Sequence, residues 1–164
     1  MIDLSNKHFI KKDLVARETS LTPLVIIGWN DSTGFPDPDA VFLSTPKMQF
    51  DGYFFEDPDL KIPSIKESID VESRKFKTGN VSLNLNNYSG LSDRFAAMDI
   101  MNKTVAIFWK SQSCESIGDC LLLYSANIRR YDHDQKLVKI QLEDDTEEKL
   151  TKDVPIANLG TGER

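Results

Sequence analysis

Residues Cys120 to Glu143 read CLLLYSANIRRYDHDQKLVKIQLE, two runs of alternating apolar residues around a short polar turn, and no other feature restricts the fold as much. Side chains of an extended strand alternate between its two faces. Leu122, Tyr124, Ala126 and Ile128 therefore share one face, as do Val138, Ile140 and Leu142 in the second run. Joined as a hairpin, the two faces line one core. Opposed residues of a hairpin lie on the same side of the sheet, so pairing Ile128 with Val138 requires Ala126 opposite Ile140 and Tyr124 opposite Leu142. It also requires an odd loop. A bulge aside, the loop is Asp132 to Asp134, or one residue longer at each end, and Asp tolerates the positive φ that such loops demand.

A chain of 164 residues is about one ordinary domain and can bury a self-sufficient core. Its formal net charge of -6 argues against a general binder of phosphate backbones, which needs surplus Lys and Arg to displace counterions. No apolar run approaches the roughly 18 residues of a membrane span, and the opening MIDLSNKHFIKK lacks the apolar segment of a signal peptide. The expectation is a soluble protein without a membrane anchor. Cys114 and Cys120 are too few for a disulfide framework or a four-ligand zinc site; their spacing permits one bridge if they flank a turn, and free thiols are the simpler reading. The sequons at Asn30, Asn80, Asn87 and Asn102 then read as polar strand and turn positions.

Along the chain, residues 1–20 form an N-terminal arm in which Phe9, Ile10, Leu14 and Val15 suit one side of a helix. Leu24 to Trp29 is a strand buried on both faces, followed by an Asp-, Pro- and Gly-rich loop from Asn30 to Asp39. Short strands follow at Ala40–Ser44 and at Gln49–Phe55, the latter broken at Gly52. A second hairpin sets Ile69 and Val71 against Val81, Leu83 and Leu85 around the turn Lys77–Asn80. Ser89 to Ile100 forms a short helix with Ser92 as cap and Phe95 and Met98 inward, and Thr104–Lys110, apolar on both faces, is a central strand. After Glu143, Asp145 or Thr146 caps a helical turn that Pro155 stops. The domain spans 21–152, with a tail or linker over 153–164. So many short strands predict a mainly β fold, a small antiparallel β-barrel with one or two short helices.

Candidate chemistry is sparse. His8 and His133 are the only histidines, and the triplet Asp132-His133-Asp134 sits at a hairpin tip that cannot hold ligands rigidly. The acids Glu143, Asp144, Asp145, Glu147 and Glu148 lack the spacing of a calcium loop and suit a helix start. Asp31, Asp37 and Asp39 lie among turn residues. The expectation is no catalytic residue, no metal, no cofactor and no enzyme. Lys66, Arg74, Lys75, Phe76 and Lys77 form a basic ribbon of the kind that binds single-stranded nucleic acid on a small barrel, which is the alternative function. Arg129, Arg130 and Tyr131 are either an interface anchor or a solvated strand end.

Three pieces carry a resemblance: IPSIKESIDVESRKFKTGNVSLNLNNYSG, MNKTVAIFWKSQ and DCLLLYSANIRRYDHDQKLVKIQLEDDTEEKL, spanning Ile62 to Leu150. The first holds an Ile-Asp-x-x-Ser pattern at Ile69–Ser73 and a Leu-x-Leu-x-Asn pattern at Leu83–Asn87. The last holds an aliphatic, Gly or Ala, x, Ile/Val, Arg pattern at Leu123–Arg129, with Ala126 where many relatives carry Gly. This order resembles the N-terminal β-barrel domain of bacteriophage tail hub and tail-tip proteins, including baseplate hubs. The resemblance implies a structural virion component assembled in the host cytoplasm. It also implies a symmetric ring, usually of three copies, between the tail tube and distal tip or fibre proteins. No catalytic residue is carried over, and no specific nucleic acid is a partner. The loop at Asn30–Asp39, with Phe35 exposed, is the expected inter-subunit or partner contact.

Overall fold

A strand that is apolar on both sides has no face to offer water and must be covered twice, and this demand sets the architecture. The computed structural model describes residues 8–16, 19–63, 67–70, 75–78 and 81–143, the strands at 67–70 and 75–78 by their backbone. In chain order the elements are α1 (His8–Val15), β1 (Thr22–Asn30), β2 (Phe35–Ser44), β3 (Met48–Phe50), β4 (Tyr53–Phe55), β5 (Glu67–Asp70) and β6 (Lys75–Thr78). There follow β7 (Val81–Asn86), α2 (Leu91–Met98), β8 (Thr104–Lys110), a 3-10 turn at Ile117–Asp119, β9 (Leu121–His133) and β10 (Leu137–Glu143). Six strands make one antiparallel sheet in the order β2-β1-β8-β9-β10-β7. The hairpins β3-β4 and β5-β6 stand outside it.

The fold is mainly β, as the alternation requires. Among the described residues no strand ladder joins the edge strands β2 and β7, so pairing alone does not close a barrel. An irregular stretch after β4 spans the gap instead. Ser44 donates its N–H to the Glu56 carbonyl (2.8 Å) and Glu56 donates to Phe42 (3.0 Å). On the far side Asn86 donates to the Pro58 carbonyl (2.6 Å) and Lys61 to Asn84 (3.4 Å). Both edges are thereby partly occupied, which protects them from unwanted strand addition.

The curled sheet has a core on each side. Its inner face gathers Val25, Ile27, Leu83, Val105, Ile128 and Ile140, closed at one end by Leu91 and Phe95 of α2. On the outer face Leu24, Ile26, Ala106 and Phe108 are covered by Ile10 of α1, by Phe50 and Phe55, and by Ile117. Alternate residues of β1 and β8 thus enter different cores, and both strands are interior to the sheet, as their apolar runs predicted.

The β9–β10 hairpin forms with a different register. Val138 faces His133, Ile140 faces Tyr131, and Leu142 faces Ile128. The reason is the turn. Asp134 accepts N–H bonds from Lys136 and Leu137 (both 2.7 Å) on its side chain, which tightens the connection to Gln135 and Lys136. An even turn reverses the facing of one strand relative to the other, and a bulge at Arg129 restores it, so that Ile128 and Leu142 both reach the core. A second bulge at Leu123, between the pairs Ile107–Tyr124 and Phe108–Leu122, turns Leu122 away from the core face on which alternation placed it. Two bulges in one 13-residue strand bend it around the core.

Other expectations shift for equally local reasons. Ile69 does not pair with the 81–85 run: β5 pairs with β6, Ile69 opposite Phe76, while β7 joins β10. The segment at Asn30–Asp39 is a four-residue turn followed by strand, not a long loop. Between the pairs Ile27–Val41 and Trp29–Pro36, Gly28 alone opposes residues 37–40. Gly28 has φ 90°, and a Cβ there would meet the Ala40 Cα at 3.3 Å, so glycine permits the bulge. Pro36 and Pro38 are tolerated because β2 is an edge strand.

α2 starts at Leu91, not after Ser92. Asn87 does the capping from five residues upstream. Its Oδ1 accepts the Ser92 N–H (2.9 Å), and its Nδ2 donates to Ser92 Oγ (2.9 Å) and to the Asp134 carbonyl (2.7 Å). One buried amide therefore ties the end of β7, the start of α2 and the β9–β10 turn together. The Asp145 or Thr146 helix, the 152/153 boundary, Val71, Lys66 and Arg74 lie outside the described residues.

Candidate functional site

At one end of the sheet the β1–β2 turn, the β3–β4 turn and the 3-10 turn converge. Asn30 builds the first: its Oδ1 accepts N–H bonds from Ser32 (3.0 Å) and Thr33 (3.2 Å), and its carbonyl accepts from Gly34 (2.8 Å). The second is an Asp51-Gly52 pair with φ 52° and 78°, the geometry of a two-residue hairpin turn. Asp51 then reaches the third, accepting the Ile117 N–H at 2.9 Å. Asp119 holds that turn from within by accepting from Ser116 N (2.9 Å) and Ser116 Oγ (2.8 Å).

Between these turns lies a cleft of about 390 Å³ lined by Trp29, Phe35, Pro36, Tyr53 and Ile117. Trp29 is fixed edge-on against Phe108 at 5.0 Å, and Tyr53 stacks on Phe42 at 4.3 Å. Phe35 forms the outer wall and is 70 % exposed. A phenyl ring held in water beside a rigid aromatic trough is a feature of contact surfaces, where aromatic anchors carry much of the affinity.

The other singled-out residues do not converge. His133 is exposed and stacks on Tyr131 (5.2 Å), Asp132 pairs with Arg130 (2.7 Å), and Asp134 is engaged by its own turn, whose backbone N–H groups hold its carboxyl below the usual range. Asp31 accepts from Ser125 Oγ at 3.0 Å, and Asp39 pairs with Lys103. Arg129 pairs with Glu143 at 3.1 Å. Tyr131 is not a solvated strand end: its ring meets Phe95 edge-on at 6.0 Å and its hydroxyl donates to the Ser92 carbonyl at 3.2 Å. Burial, with a smaller contribution from Asp93, pushes that hydroxyl's pKa upward. Cys114 and Cys120 are buried free thiols. Lys75, Phe76 and Lys77 lie on β6, and His8 opens α1 at the surface. Among the described residues no three His, Cys, Asp or Glu side chains gather to hold a metal.

Sequence reading missed Asp13, which fastens α1. Of the residues it placed on one helix side, only Ile10 is buried, while Phe9, Leu14 and Val15 are exposed. The Asp13 carboxylate accepts from the Ser111 hydroxyl and from Ser113 Oγ (2.7 Å) and N (2.8 Å), and these bonds lower its pKa. A carboxylate with a depressed folded pKa contributes stability above its unfolded pKa and loses it as pH falls through the folded value. Acidification below the ordinary aspartate range should therefore lower the protection of α1 amides, relative to their intrinsic exchange rates at that pH, before the sheet opens. Asp13→Asn should show at neutral pH the reduced α1 protection factors that the parent shows in acid; parent protection factors equal at both pH values would remove Asp13 from this role.

No protein-family model matches the chain, and no curated protein does. A solved structure shares its fold. That chain, described as "Virion of native gene transfer agent (GTA) particle", superposes with a TM-score of 0.57 at 12% identity, over 94% of this chain and 47% of that one. The present chain thus spans about half the length of the protein it matches. At that identity the likeness is one of fold.

Proposed function

We propose that the chain is a structural component of a phage-like virion, a tail hub or tail-tip domain that packs with copies of itself in a closed ring between the tail tube and distal proteins. The observation that carries this reading is the fold shared, over nearly the whole chain, with a chain of a gene transfer agent virion particle. The order of strand motifs from Ile62 to Leu150 agrees with it. The role is scaffolding rather than catalysis, with assembly in the host cytoplasm and final residence in the virion.

The Phe35 trough is the contact this reading assigns to the neighbouring subunit. Closed symmetry buries such a patch on every copy and leaves none to propagate. Phe35→Asp should leave the circular dichroism and melting temperature of the isolated chain unchanged, since the ring is mostly in water, while native mass spectrometry loses the oligomer. Electron microscopy of particles should place several copies around the tail axis. A single copy per particle, or rings that survive Phe35→Asp, would count against the assignment.

A further inference from the structure

Tyr88 stands 79 % exposed between two open clefts and lines both. The first, about 270 Å³, also offers Asp57, Asp59 and Asn86; the second, about 530 Å³, offers Asp93, His133 and Gln135. The backbone under the ring is fixed. Tyr88 donates its N–H to Asn86 Oδ1 at 3.0 Å, Asn86 donates to the Pro58 carbonyl, and the adjoining Asn87 is locked to α2 and to the β9–β10 turn. A large ring displayed on so firm a base is a platform.

The surrounding chemistry narrows what it fits. Asp57, Asp59, Asp93 and Asp134 line the clefts, and Lys61 beside Asp59 (3.6 Å) and Lys136 beside Asp134 offset only part of their charge, so the clefts do not favour an anionic ligand. A divalent cation needs several converging oxygen ligands, and no such group of acids is present among the described residues. Apolar ligands need enclosing apolar walls, whereas these clefts are open and lined by polar and apolar surface in nearly equal measure. A neutral polyol meets every condition. The C–H face of a pyranose lies against the electron-rich face of a tyrosine ring, and carboxylates and amides accept from and donate to its hydroxyls.

We propose that Tyr88 is the centre of a site for a neutral oligosaccharide running across both clefts. The 164-residue chain is titrated with linear hexasaccharides of glucose, mannose, galactose and N-acetylglucosamine, read by saturation-transfer NMR and calorimetry. At least one should bind with a dissociation constant of about 1 mM or tighter. Tyr88→Ala should weaken it by about tenfold or more, with the melting temperature unchanged, and Tyr88→Trp should retain it. Absence of binding by all four sugars, affinity undiminished in Tyr88→Ala, or binding of an oligolysine peptide in place of every sugar would overturn the proposal. The oligomer measured for the Phe35 trough is a separate readout, so either idea can fail alone.

Discussion

Ile140→Asp should abolish the folded state. Ile140 is fully buried on β10, opposite Tyr131 on one neighbouring strand and Leu83 on the other, within the inner core. The substitution removes the isoleucine's apolar contacts, worth about 2–5 kcal/mol when truncated. It also buries a carboxylate without a partner, at a cost of several kcal/mol more. Domains of this size are stable by only about 5–15 kcal/mol. Circular dichroism of the variant should show no β signature and no cooperative melt. A melt within about 4 °C of the parent would mean that this side chain does not face the core.

Asn87→Ala should destabilise the protein by about 3 kcal/mol, mostly through what it leaves behind. The Ser92 N–H loses its partner in a buried setting and the Asp134 carbonyl loses one in a part-buried setting, beside the cleft that Asn87 lines. Urea denaturation should give a lower midpoint with an unchanged slope. Hydrogen exchange should rise first at the start of α2 and at the β9–β10 turn, the two elements the amide joins. Asn87→Asp should behave similarly, because a carboxylate cannot donate to the Asp134 carbonyl. A loss below about 0.5 kcal/mol would place the capping energy elsewhere.

The strands were readable because burial imprints its period on the chain. Leu24–Trp29 and Thr104–Lys110 carry apolar side chains on both faces, and both are interior strands with a core on either side. Val138, Ile140 and Leu142 alternate, and all three point into one core. The Asp51-Gly52 break was visible too, since the positive φ of a tight hairpin turn favours those residue types.

Register was not readable in the same way. A bulge adds one residue without changing composition, and the bulges at Leu123 and Arg129 reversed the expected facing of Leu122 and moved Leu142 opposite Ile128. The capping of α2 was misassigned because Ser92 has the right chemistry at the right place, while the group that satisfies the helix end is Asn87, brought there by the fold. Among candidate sites, Phe35 stood out in the sequence as an apolar residue among turn formers. Its trough did not, because Trp29, Tyr53 and Ile117 come from three separate segments.

From its sequence alone this chain is committed to antiparallel strands and to two doubly covered central ones. These follow from side-chain periodicity and composition, which act over a few residues. Only the tertiary structure decided that an irregular stretch, not a strand, spans the gap between β2 and β7, that α1 is held by Ile10 and one carboxylate, and that Tyr88 stands between two clefts. Each depends on residues tens of positions apart meeting in space, and such meetings are settled by packing the whole chain at once.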